Sequence, residues 1–204
     1  MPALPAPKVP RPDRTLLITC GALAREVLAL RRLNGWDHLD LICLPATLHN
    51  QPARIAPAVE GILATRGRDY DEILVLYADC GTGGALAVLC ARHGIRMLPG
   101  PHCYALYEGI TTFAARAEAT SFYLTDLLAR QFDALVWRPL GLDRHPDLLP
   151  LYFGRYDTLV FLAQTEDPTL TARAKAAADR LGLAFERRFT GYGDLATALE
   201  RTPT

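Results

Sequence analysis

The sequence predicts an α/β fold: a single, mainly parallel sheet with helices on both faces, Rossmann-like and three-layered. Two observations carry this. Short apolar runs alternate along the chain with segments whose apolar residues recur at helical spacing. The runs are continuously apolar, as in Ile73-Leu74-Val75-Leu76, which suits strands buried on both faces rather than one.

Residues 1–13 are proline-rich and without period, and read as a flexible arm. Residues 14–204 read as one domain, since a chain of 204 residues leaves little room for two cores. A strand over about 15–19 leads to a helix over 22–34 with Leu23, Val27, Leu30 and Leu33 on one face, stopped by Gly35. The second strand is Leu39–Leu44. The helix after it carries Ile55, Val59, Ile62 and Leu63, and Pro57 should kink it or mark a later start. The third strand, 73–76, runs through Tyr77-Ala78-Asp79-Cys80-Gly81-Thr82-Gly83-Gly84 into a helix that closes at His93-Gly94.

A short fourth strand at 95–98 opens into the Pro99–Cys103 loop. Residues 102–137 read as mostly helical in at least two pieces, the second with Leu124, Leu128, Phe132 and Leu135 at helical spacing. A proline-rich connection, Pro139 to Pro150, has room for a short helical turn. Thr158–Leu162 is the fifth strand. Asp167-Pro168 is an N-cap and N1 pair opening a helix that ends at Gly182. A sixth strand at 184–189 and a short helix at 194–199 complete the chain.

Lys+Arg and Asp+Glu balance at 22 each, so no global field recruits nucleic acid or an anionic membrane. No apolar run approaches the roughly 20 residues that span a bilayer. Prolines interrupt the N-terminus where a signal peptide needs a continuous apolar helix, so a cytoplasmic location is expected. In that compartment five cysteines without a Cys-x-x-Cys pair are thiols, ligands or nucleophiles rather than a disulfide framework.

Three of them, Cys20, Cys80 and Cys103, follow predicted strands beside glycines, where open α/β sheets bind ligands. They are the candidate metal ligands. Thiolates are soft donors suited to zinc or a [4Fe–4S] cluster, and three protein ligands leave a position open for a small-molecule substrate. The competing readings are a nucleophilic cysteine without metal and a buried cysteine acting as a small hydrophobe. Cys43 and Cys90, inside a strand and a helix, fit the last of these.

His49, His102 and Asp79 are the candidate catalytic residues, as proton shuttle, acid/base or orienting partner. Each has a plainer reading: a loop histidine, or an aspartate that only caps the next helix. Arg25 and Glu26 could face the same crevice, although surface charge is the default. Gly81, Thr82, Gly83 and Gly84 form a candidate cofactor-binding turn, because backbone N–H groups at a helix start attract anions. The turn is not Gly-x-Gly-x-x-Gly and lacks Lys-Ser/Thr, so nucleotide binding is a weak reading. Cys20 to Arg25 has four intervening residues where a phosphatase loop uses five.

The blocks Cys20-Gly21-Ala22-Leu23-Ala24-Arg25-Glu26, Leu48-His49-Asn50, Asp79–Gly84 and Gly100-Pro101-His102-Cys103-Tyr104 resemble a bacterial and archaeal family of uncharacterised proteins. That family is the domain of unknown function numbered sixteen thirty-eight. The resemblance runs from about residue 14 to 200. It implies no established activity or cofactor. It associates the chain with corrinoid-dependent methyl transfer and one-carbon metabolism, either as an enzyme or as an accessory, metal-delivering partner of a corrinoid protein.

Overall fold

The computed structural model describes residues 13–201. The expected proline-rich arm, Asp13 apart, lies outside them. The α/β class holds, and every strand pairing is parallel. The strands form two sheets rather than one, of four and three strands. The chain divides accordingly into two compact units, one running to Cys103 and taking in residues 198–201, the other spanning Tyr104–Thr197.

In the first unit the strands are β1 (Thr15–Cys20), β2 (Leu39–Leu44), β3 (Glu72–Leu76) and β4 (Arg96–Met97), in the order β2-β1-β3-β4. Leu16, Leu17, Ile18, Val75 and Leu76 are almost wholly buried, as central strands covered on both faces must be. The helices are α1 (Ala24–Asn34), α2 (Ile55–Arg66) and α3 (Ala85–Arg92). Gly35 ends α1 in the left-handed conformation, φ 65°, which costs a residue without Cβ nothing. Pro57 does not kink α2. The helix starts at Ile55, so Pro57 sits in the first turn, where its missing N–H would have no helical partner.

This strand order contains a switch point. The chain leaves β1 toward β2 on one side and leaves β3 toward β4 on the other. Right-handed crossovers then place α1 on one face and α2 and α3 on the opposite face. The packing of α2 against α3 fits that arrangement. The C-terminal ends of β1 and β3 flank that switch point, the place where open α/β sheets bind ligands.

The second unit holds α4 (Cys103–Glu108) from Tyr104 onward, α5 (Ile110–Arg116), β5 (Ser121–Leu124), α6 (Asp126–Arg130), α7 (Leu149–Phe153), β6 (Thr158–Ala163), α8 (Pro168–Leu181) and β7 (Ala184–Phe189). A π-turn covers Asp133–Trp137, and the last helix, α9, is Gly193–Glu200. The sheet order is β5-β6-β7. On one face Leu124, Leu159, Phe161 and Ala163 pack with Phe132, Trp137, Phe153, Leu170 and Ala174. On the other, Tyr123, Val160 and Leu162 meet Tyr104 and Phe113.

β5 corrects the helical reading of 102–137. Ser121–Leu124 is only four residues, too short to show a period of two, and its apolar Leu124 falls in step with Leu128 and Phe132 beyond it. Pairing with β6 decides the matter. The Asp167 carboxylate caps α8 as expected, accepting from the Thr169 and Leu170 N–H groups at 2.8 and 3.3 Å.

Candidate functional site

Cys20 is the last residue of β1, and the β1–β3 register ends at Thr19 opposite Leu76. The next position on each strand is therefore Cys20 and Tyr77, with both side chains emerging on one face. Gly21 follows close against β2. Its N–H donates to Leu44 O at 2.7 Å, and a Cβ there would stand 3.0 Å from that oxygen. Only glycine lets the chain leave β1 this tightly.

Loop geometry then gathers other segments to the same edge. The short 3-10 turn Ala46–Asn50 carries His49, whose Nδ1 lies 3.0 Å from Ala46 O and 3.7 Å from Cys20 Sγ. The His49 ring stacks on Tyr77, with centroids 6.2 Å apart and planes 16° from parallel. An Nδ1–H donated to Ala46 O leaves Nε2 as the basic nitrogen, the arrangement in which a histidine serves as a ligand or base.

The Pro99–Cys103 loop is pinned from the other side. Asp79 N–H donates to Gly100 O at 3.0 Å and Cys80 N–H to Pro101 O at 2.8 Å. The Cys103 backbone in turn works to lower the Cys80 thiol against its burial. Cys80 itself is left-handed, φ 49°, one of two described non-glycine residues with positive φ. For an L-residue that conformation costs about 1 kcal/mol or more. A turn needing only to reverse direction would place glycine there, and Gly81 is the next residue.

Cys20 and Cys80 are 3% and 9% exposed, and both are free thiols. Burial pushes Cys20 up to about 11, partly offset by the Ala22 N–H, 3.2 Å from its sulfur, and by the Tyr77 hydroxyl. Burial also pushes Cys80 up to about 12, and a Cys20 thiolate raises it further. Burial raises the Tyr77 hydroxyl as well, with the charge of Cys20 adding to the effect. At neutral pH both thiols are therefore protonated and neutral. Among the described residues no three His, Cys, Asp or Glu side chains are grouped as a metal ion requires.

The other candidates fall in several places. The Asp79 carboxylate accepts from Thr82 Oγ1 at 2.9 Å, Gly84 N–H at 2.7 Å and Gly83 N–H at 3.3 Å. Those donors, Gly84 N–H foremost, hold it below the usual carboxylate range. Thr82 N–H also donates to Asp79 O at 3.0 Å, so three of the N–H groups that Gly81, Thr82, Gly83 and Gly84 could offer an anion are directed at the chain's own aspartate. His102 is half-buried, and burial lowers its pKa. Cys103, partly buried, begins α4.

Cys90 is buried in α3 as expected, but Cys43 is exposed, because β2 is an edge strand. Glu26 is 6% exposed, a buried carboxylate in α1 rather than surface charge. Tyr77 is the residue that motif reading missed. Its signal was present: a polar-tipped aromatic directly extending a wholly apolar strand.

Among the described residues no helix is long and apolar enough to cross a membrane. No curated protein and no solved structure is matched by the chain. Residues 43–199 match a family model described as "Protein of unknown function (DUF1638)". That span holds His49, the Asp79–Gly84 turn and Cys103 and covers most of the chain, which therefore belongs to this family of uncharacterised proteins.

Proposed function

We propose that the strand-end edge at β1 and β3 is a thiol-dependent site for a soft metal, zinc or an iron–sulfur cluster, with Cys20 and Cys80 as its core. The observation that carries the reading is convergence at a switch point. The end of β1, the turn after β3 and the Pro99–Cys103 loop are tied together so that Cys20, Cys80, His49 and the Cys103 backbone share one edge. Burying a thiol at a turn at the cost of a left-handed cysteine is poorly explained by packing alone.

The donors do not form a three-ligand group as they stand. Loading therefore requires the Cys103 or His49 side chain to turn toward the pair, and the raised thiols to release their protons. The chain's own residues supply the rest: Tyr77 excludes water, and His49 Nε2 can hold or pass a proton. The methyl-transfer setting implied by the family resemblance makes a corrinoid protein and small methylated compounds the first partners and substrates to try.

Anaerobic purification with iron, sulfide and zinc analysis tests this. Cys20→Ser and Cys80→Ser should abolish metal retention, and Cys103→Ser should reduce it at least tenfold. Cys43→Ser should leave it unchanged, and Cys90→Ser should cost stability alone. Equal behaviour of all five variants, or no metal after reconstitution, would sink the proposal.

A second reading has its own observation. His49 Nδ1 lies 3.7 Å from Cys20 Sγ. In the tautomer that gives up the Ala46 O bond and carries its proton on Nε2, Nδ1 could take the thiol proton and make Cys20 a nucleophile without metal. It requires the Cys20 thiol to ionise from about 11. Alkylation of the metal-free protein faster at Cys20 than at exposed Cys43 near neutral pH would favour it.

A further inference from the structure

From a different cavity, in the second unit, we infer that the protein carries a binding site for a small multiply charged anion, a phosphate-bearing metabolite in chemical class, between α8 and the α6–π-turn segment. The cavity is about 480 Å3, within the range of small-molecule sites. Arg130, Arg138, Arg173 and Arg180 line it, against the single carboxylate of Asp133.

Arg173 and Arg180 are seven residues apart and share one face of α8. Arg180 is held in place: its Nη1 is 2.6 Å from Asp133 Oδ1, and its guanidinium lies 3.5 Å over the Trp137 ring. The other three arginines have no carboxylate partner among the described residues. Arg173 donates only to the Arg130 carbonyl, at 3.5 Å. Nη1 of Arg130 is buried with no hydrogen-bond partner among the described residues.

A buried guanidinium nitrogen left unpaired is costly, and the two further arginines without a carboxylate, Arg138 and Arg173, add a smaller, solvent-screened repulsion. A chain whose charges balance overall has no general excess of cations to dispose of here. An anion resolves both costs. Planar guanidinium forks bind phosphate oxygens in pairs, which is why arginine rather than lysine suits such a site. The π-turn Asp133–Trp137, closed by Arg138 N–H to Asp133 O at 2.9 Å, supplies Asp133 and Ala134 to the lining. Single π-turns are frequent at functional sites. The small side chains of Ala129, Ala176 and Ala177 floor the cavity and leave room for the ligand's less polar part.

Titration calorimetry of the full chain with pyrophosphate, at low and at 150 mM salt, tests the site. One equivalent should bind at both. Arg130→Gln and Arg173→Gln should each weaken it at least tenfold, roughly the loss of one charge-assisted hydrogen bond. Arg155→Gln, exposed and outside the cavity, should leave affinity unchanged. Circular dichroism of each variant confirms the fold, and Arg138→Gln gives a third, surface-exposed probe should Arg130→Gln be destabilised. Equal weakening by Arg155→Gln, or binding that vanishes at 150 mM salt, would mean diffuse charge and overturn the site. Capture of a single-stranded oligonucleotide with no response to pyrophosphate would overturn the small-molecule class.

Discussion

The two sheets end in opposite ways. At the edge of the second, Asp126 stitches neighbouring strand ends together. Its Oδ1 accepts the Gln164 N–H at 3.0 Å, its Oδ2 accepts the Thr165 hydroxyl at 2.6 Å, and its own N–H reaches Gln164 Oε1 at 2.8 Å. The Thr190 N–H closes the β7 side onto Ala163 O at 2.9 Å. In the first, the carboxylate of Asp79, in the turn after β3, serves only its own turn, while its N–H holds Gly100 O. The strand ends there carry thiols and an aromatic instead. An α/β edge can be sewn shut for stability or left with reactive groups for chemistry. The second unit takes the first course, and the site proposed for the first unit takes the second.

The largest expected effect breaks the sewn edge. Asp126 is 1% exposed, so Asp126→Ala leaves the Gln164 N–H and the Thr165 hydroxyl without their acceptor. Only the Gln164 N–H is left buried, since Thr165 is exposed, so at about 1–3 kcal/mol per orphaned buried group the loss should be about 2 kcal/mol in urea unfolding. Asp79→Ala, at a more exposed turn, should cost about 1 kcal/mol, like an ordinary helix cap. Equal penalties would erase the distinction between the edges.

A smaller effect separates the units by pH. In the metal-free protein the folded Cys20 and Cys80 thiols titrate at about 11 and 12, against 9.0 when unperturbed. For an acid raised in this way the folded state holds its proton longer than the unfolded one. The stabilising contribution is therefore complete below pH 9 and is lost as pH climbs toward the folded values. At pH 10 the loss should be roughly 1 kcal/mol per thiol. In the second unit Tyr123, raised to about 12 chiefly by burial, starts from 10.0, so the window between pH 9 and 10 belongs to the thiols. Trp36 and Trp137 lie in different units, so Trp36→Phe and Trp137→Phe make fluorescence report each separately. Parallel alkaline loss in both units would contradict the assignment, and metal-loaded protein should lose the effect.

How legible all this was depends on which interactions decide each feature. Strands β1, β2, β3 and β6 and helix α8 were readable because a continuous apolar run or an Asp-Pro start is a local signal. The strand-end cysteines were readable as candidates because a thiol beside a glycine after a strand is also local. The division into two sheets was not, since β5 becomes a strand only by pairing with β6, 37 residues away in register at Ser121 and Thr158. Surface charge is the default sequence reading of Glu26, and nothing local in the sequence marks Asp126 or Arg188 as buried or partnered. Asp126 and Arg188 take their places from partners far along the chain, Gln164 for the first and Glu108 and Glu118, at 3.1 and 2.8 Å, for the second. Cys43 was misread for the complementary reason: whether a strand lies at an edge is a property of the sheet order.

The finest test concerns the backbone under the proposed site. Cys80→Gly removes a left-handed strain of about 1 kcal/mol, and glycine's extra unfolded-state entropy takes back a similar amount. With the small transfer loss of the side chain, the melting temperature should move by no more than about 1 kcal/mol in equivalent stability. Cys20→Gly has no strain to relieve. It loses side-chain burial within a strand and should cost about 2 kcal/mol. Both variants should be equally unable to retain metal. If Cys80→Gly is instead strongly destabilised, the thiol at position 80 is there to be packed, and the left-handed turn needs no functional explanation.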